Sequence, residues 1–176
     1  MIINRVWAMP NKWTFTIKPI AELLARYVGD GKGWIDPFAG MYSPAEFTND
    51  LNPDSPAQSH MDALDFLSSL KGVWNGVLFD PPYSPRQVKE CYDSIGRHME
   101  QDDALLGYKR GQYKAIVKSI IKPGGVSISC GWNSVGMGKS LGFEIIEILL
   151  VCHGSDHNDT IVTVERKIQS NFDASP

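Results

Sequence analysis

Apolar positions first recur at helical spacing in residues 18–28 (KPIAELLARYV). Ile20, Leu23, Leu24 and Tyr27 fall on one face there, and the glycines from Gly29 to Gly33 end the run. The period then changes. Gly33 to Ile35 lead into a short strand ending at Asp36, and 46–51 (EFTNDL) reads as a second short strand. His60 to Leu70 predicts a short helix. The apolar run 73–79 (VWNGVLF), bounded by Gly and Pro, suits a buried strand. Residues 86–100 and 108–121 are helical in pattern, and Lys122-Pro123-Gly124-Gly125 reads as a turn into a strand at 125–130. Strands at 143–151 and 159–166 follow, the second alternating cleanly. Residues 1–168 read as one domain and 169–176 as a frayed tail.

Strands alternating with helices, then two adjacent strands, predict an α/β protein of Rossmann-like type: a mostly parallel sheet with an antiparallel C-terminal hairpin. Ligands of such sheets bind outside the carboxyl ends of the strands. Asp36, Asp50 and Asp80 stand at three of those ends, so three carboxylates are expected around one crevice.

Composition changes this picture little. The chain has 176 residues, enough for one domain with a sizeable core, and 43% of them are hydrophobic. No window approaches the ~18 apolar residues of a membrane span, and the start, MIINRVWAMPNKW, has no apolar leader. A cytoplasmic protein with reduced thiols at Cys91, Cys130 and Cys152 is the expectation. The net charge of −3 argues mildly against nucleic acid. The motifs argue the other way.

Asp80-Pro81-Pro82-Tyr83 follows directly on the strand-like VLF. Two successive prolines remove two backbone donors and fix φ twice, so the chain leaves the sheet stiff and extended with carbonyls free to accept. Asp80 adds a side-chain acceptor and Tyr83 an aromatic face. An exocyclic amine on a flat ring presents two N–H donors, which such an acceptor pair and ring match. A plain Pro-Pro turn with Tyr83 capping the core is the competing reading.

Upstream stands Asp36-Pro37-Phe38-Ala39-Gly40 at a strand end, then Thr48-Asn49-Asp50-Leu51-Asn52-Pro53 and Asp62-Ala63-Leu64-Asp65. With these in order before Asp80-Pro81-Pro82-Tyr83, the sequence resembles the S-adenosylmethionine-dependent amino-group DNA methyltransferases, specifically the N6-adenine enzymes of small phage or mobile-element type. The resemblance runs from about residue 9 to residue 166. It implies S-adenosyl-L-methionine as cofactor and DNA, through a flipped or single-stranded adenine, as partner. It implies catalysis by Asp80, Pro81, Pro82 and Tyr83, with Asp80 and the Pro81 carbonyl accepting the amine hydrogens and Tyr83 stacking on the base. Asp36, Pro37, Phe38, Ala39 and Gly40 would line the methionine and ribose side. Asp50 would take the ribose hydroxyls, Leu51 would pack on the cofactor adenine, and Asp62 with Ala63 would meet its amino edge. Phe15, Thr16 and Lys18, in the segment resembling the family's N-terminal motif, would close the methionine end, with Lys18 open to being a surface lysine. No metal is implied.

Two departures stand out. Only eight residues separate Gly40 from Asn49, fewer than the ~10–12 of a whole helical crossover, so the first crossover helix should be shortened or absent. The chain also lacks room for a separate target-reading domain. Its basic stretch, 84–122, carries eight Lys/Arg against five Asp/Glu, a net +3 that leaves −6 elsewhere. Arg86, Lys89, Arg97, Lys109, Arg110 and Lys114 there are candidates for phosphate contacts, against a solvated helix pair. Weak or short-site specificity, or a homodimer, would fit. Trp132 and Asn133, after the strand ending near Cys130, are candidates for the base pocket, against a core Trp with a turn Asn. Cys152, His153 and His157 lack a nearby fourth zinc ligand, and residues 154–159 read as a hairpin loop. The same chemistry on cytosine N4, RNA adenine or a protein glutamine stays open, as does an idle binding fold.

Overall fold

The computed structural model describes residues 1–98, 106–154 and 157–168, the side chains of 106–108 excepted. Its strands are β1 (Ile2–Trp7), β2 (Trp34–Asp36), β3 (Phe47–Thr48), β4 (Trp74–Phe79), β5 (Ile121–Gly131), β6 (Phe143–Cys152) and β7 (Thr160–Lys167). They form one sheet in the order β1-β6-β7-β5-β4-β2-β3. The β4 pairs with β2 and β5, and the β2–β3 pair, are parallel. β7 runs antiparallel to both β5 and β6. The expected mostly parallel sheet with an antiparallel hairpin is therefore present. β2 and β3 are joined by a loop without a helix, as the short spacing predicts.

Helices cover both faces. In α1 (Lys18–Val28), Pro19 occupies the first turn and Gly29, at φ 61°, ends it. Its Ile20, Leu23 and Leu24 pack with Leu78, Ile128, Leu149 and Val162 on one face of the sheet. On the other face, α2 (Ala63–Ser69) and α4 (Leu106–Ile120) bury Phe66, Leu67, Val117 and Ile120 against Ile35, Val77 and Phe79. Val77 and Leu78 thus serve opposite cores, as strand alternation requires. Gly76 has to be glycine, because a Cβ there would stand 2.6 Å from the Trp34 ring. α3 (Pro85–Ser94) is capped by Ser84, whose Oγ accepts from Gln87 N–H at 3.3 Å.

Three elements differ from the expectation. The N-terminal residues form β1, an edge strand parallel to β6, where none was read. α3 stops at Ser94 instead of running towards 100. Residues 122–125 are not a turn outside the sheet. Ile121 already pairs with Trp74, and the chain bulges before Val126 rejoins Gly76. Residues 169–176, read as a tail, and Ser155 and Asp156 of the hairpin loop lie outside the described residues. No described helix is long and apolar enough to cross a membrane.

Candidate active site

A cavity of about 710 Å³ opens at the carboxyl ends of β2, β3 and β4. Pro37, Phe38 and Gly40 line it after β2, and Asp50 and Leu51 after β3. Asp62 and Ala63 at the start of α2, and Asp80 to Tyr83 after β4, complete that side. A smaller cavity of about 150 Å³ shares Asp80 and reaches Phe15 and Ala39. The crevice therefore lies where the parallel strands end, and most of the residues singled out from the sequence meet there.

Asp36 does not face the cavity. It is fully buried, and both its oxygens are taken by its own loop. One accepts from Phe38 N–H at 3.0 Å, the other from the Ser43 hydroxyl at 2.6 Å. Burial pushes its carboxyl up to about 7. The two hydrogen bonds pull it back, and nearby Asp80 and Asp50 add to the rise. Asp36 is a clamp beneath the loop, not a wall of the site.

Asp50 does reach the cavity. One carboxylate oxygen accepts from Gly40 N–H at 2.8 Å and the other from Asn52 N–H at 2.8 Å. Gly40 turns at φ 54°, which points its N–H at that carboxylate. Buried Asn49 ties three loops together by donating to the carbonyls of Pro37 and Met61 and accepting from Met61 N–H. Asp62 caps α2 through one oxygen, which accepts from Leu64 N–H at 2.8 Å.

In the cavity lining, Tyr83 donates its hydroxyl to the Asp80 carboxylate. Burial pushes Asp80 up to about 6, and a hydrogen bond from the Thr14 hydroxyl pulls it down. The Tyr83 ring, expected as a stacking face alone, thus also serves Asp80 through its hydroxyl. The Pro82 carbonyl accepts from Arg110 at 2.8 Å, whereas the Pro81 carbonyl accepts nothing from the described residues. The stiff Pro-Pro segment is held from α4 and leaves one carbonyl available.

The N-terminal wall differs from the expectation by a few residues. Lys12, Trp13, Thr14 and Phe15 line the cavities. The Thr16 hydroxyl instead turns back to the Trp13 carbonyl at 2.8 Å, and Lys18 lies exposed beside Glu22. Thr14 was missed, although its place next to Phe15 in TFT was a usable signal.

Several of the expected phosphate contacts are committed within the chain. Arg86 pairs with Glu90 at 2.7 Å and Lys89 with Asp93 at 2.5 Å, both one turn apart on α3. The Arg97 guanidinium lies 4.7 Å from the Tyr92 ring centroid. Arg110 holds Pro82 and is lowered by burial. Lys114 donates to the Gly136 carbonyl and is likewise lowered by burial. Lys109 borders the cavity. Trp132 lies outside the cavity wall, with its ring centroid 5.6 Å from that of Tyr83 and tilted by 54°. Asn133 caps its own turn by accepting from Val135 N–H at 3.1 Å. Both ring nitrogens of His153 are engaged, with the Ala8 carbonyl and the Thr160 hydroxyl, each at 2.9 Å, so it has no lone pair for a metal.

The architecture matches solved structures across most of the chain. TrmN from Thermus thermophilus superposes over 86% of it with a TM-score of 0.59 and 15% identity. The fold is the Rossmann-like methyltransferase fold. The chain spans about half of TrmN, 49% of its length. The Burkholderia thailandensis 1,6-didemethyltoxoflavin-N1-methyltransferase, solved with bound 1,6-didemethyltoxoflavin and S-adenosylhomocysteine, matches 86% of this chain and 78% of its own. Its TM-score is 0.55 and its identity 14%. The N-methyltransferase NodS from Bradyrhizobium japonicum WM9 matches 86% of this chain and 96% of its own, with a TM-score of 0.55 and 10% identity. No family profile matches the sequence, and no curated protein matches it.

Proposed function

We propose that the protein transfers a methyl group from S-adenosylmethionine to the N6 amine of adenine in DNA, with low or short-site sequence specificity. The observation that carries this reading is the Asp80–Tyr83 segment. It places a cavity-facing carboxylate next to a carbonyl with no described donor, on a backbone stiffened by two prolines and clamped by Arg110.

The residues present fit the cofactor. A carboxylate offers about four acceptor sites, and Asp50 uses two of them on Gly40 and Asn52, leaving capacity for ribose hydroxyls. Asp62 keeps one oxygen beyond its cap, beside the apolar wall of Leu51, Met61 and Ala63. Asp36, Asp50 and Asp80 are close enough for the other two to raise Asp36, a setting that favours a cationic group. When bound, S-adenosylmethionine supplies a methyl carbon made electrophilic by its sulfonium.

The chain's own part is to prepare the amine. Resonance with the purine ring withdraws the nitrogen lone pair. Asp80 and the Pro81 carbonyl accept the two N–H groups and draw the nitrogen towards tetrahedral geometry, which frees that lone pair. With a pKa of about 6, Asp80 is mostly ionised at neutral pH and basic enough to take the proton the amine releases. Much of the rate then comes from holding the amine in place.

The test is transfer of labelled methyl groups into adenine-unmethylated DNA, followed by nucleoside analysis for N6-methyladenine. Asp80→Ala should abolish transfer and retain S-adenosylmethionine binding by calorimetry. Absence of N6-methyladenine with the wild-type protein, or full activity of Asp80→Ala, refutes the proposal.

A further inference from the structure

We infer that the substrate is a single strand, gripped by stacking on Trp132 beside Tyr83 and not by clamping a duplex through its phosphates; this rests on the N6-adenine reading above. Two independent observations carry it.

The first is the display of Trp132. It follows β5 directly, remains 47% exposed and sits with its ring 5.6 Å from that of cavity-lining Tyr83. The loop that presents it is firmly anchored. The buried carboxylate of Glu165 on β7 accepts from Met137 and Gly138 N–H, the latter at 2.8 Å. Lys114 of α4 donates to the Gly136 carbonyl, and Asn133 closes the turn. A half-exposed Trp on a loop held from two sides, next to a ring that lines the cavity, is a stacking platform. Base–aromatic stacking tolerates any sequence, which suits a reading of low or short-site specificity.

The second is the state of the cations. Of the basic side chains after the catalytic segment, Arg110 and Lys114 are spent on backbone carbonyls and Arg97 on Tyr92. Arg86 and Lys89 face Glu90 and Asp93, and those acids would remain beside any phosphate that displaced them. Lys109 borders the cavity, and the net charge of the chain is −3, against the strongly basic balance that duplex binding draws on. An unpaired adenine also enters the cavity without the cost of being extracted from a stack of paired bases.

The experiment compares methyl transfer to one adenine-containing 12-nucleotide DNA, single-stranded and annealed to its complement, across a salt series. The single strand should be the better substrate by at least tenfold in kcat/KM. Its log–log salt slope should be shallower than about −2, given a slope near −0.7 per phosphate contact for single strands. Trp132→Ala should raise KM about 5- to 150-fold, the range expected for losing one stacked base, and change kcat little. Trp132→Phe should recover most of that loss, and an unchanged thermal melt should confirm that both variants are folded. Preferred methylation of the duplex, or a KM unmoved in Trp132→Ala, overturns this inference and leaves the N6-adenine reading standing. Failure to methylate adenine in either form refutes the N6-adenine reading, and this inference with it.

Discussion

Thr14→Val removes the hydroxyl that the N-terminal wall offers to Asp80 while keeping nearly the same shape. Asp80 stands at about 6 because burial raises it and Thr14 lowers it. A hydrogen bond to a charged group contributes about 1.5–3 kcal/mol, and one pKa unit corresponds to about 1.36 kcal/mol. Thr14 is partly exposed, so water replaces some of the bond, and the low end applies: a rise of about one unit. The ionised fraction of Asp80 at pH 7 would then fall from about nine-tenths to about half, and at pH 5.5 it would fall roughly eightfold. Above pH 8.5 the two proteins should converge. The assay is kcat/KM for methyl transfer from pH 5 to 9. An unchanged midpoint, or a uniform loss at every pH, would refute the role given to the hydroxyl and reduce Thr14 to a packing residue.

The other predictions concern the clamps around the site. Asp36 titrates at about 7 in the folded protein against 3.8 for the free side chain, so between those values the folded state binds more protons than the unfolded one. Stability should therefore fall as pH rises from 4 to 7, by roughly 4 kcal/mol at most. Asp36→Asn, which mimics the protonated form, should flatten that dependence in thermal melts, and a slope equal to wild type would contradict it. Arg110→Gln should release the Pro82 carbonyl and slow transfer about tenfold, in keeping with loss of one charge-assisted bond. Cofactor affinity by calorimetry should not change, and an unchanged kcat would mean that α4 does not hold the segment.

The strand ends and their acids were legible in the sequence because the signals are local: an apolar run, a proline, a carboxylate at the exit. The positions of Asp50 and Asp80 around one crevice follow from topology rules, whereas Asp62, the N-cap of α2, was expected only from the family resemblance. Asp36 carried the same local signature and was misplaced. Its fate was decided by Ser43, seven residues on, in a loop with no periodicity to read. The cations failed for a related reason. Sequence shows the charge of Arg110 and Lys114 but not the carbonyls of Pro82 and Gly136 that fold against them. β1 was invisible because it is an edge strand whose residues are nearly all exposed, with Asn4 and Arg5 interrupting its apolar run. Its partner lies at the far end of the sequence, and parallel pairing over that distance leaves no local trace.

That pairing also sets an order of assembly. β1 runs into the segment that carries Lys12 to Phe15, and it is fastened to the end of β6 by Ala8 N–H on the Cys152 carbonyl and by His153 on the Ala8 carbonyl, groups up to 145 positions apart. Contacts of such sequence separation form late, because a long loop must close before they return anything. A nascent chain still lacking β6 has no partner for β1, the strand that leads into the Lys12–Phe15 wall. One wall of the cavity is thereby tied, through β1, to a strand that the chain completes only near residue 152.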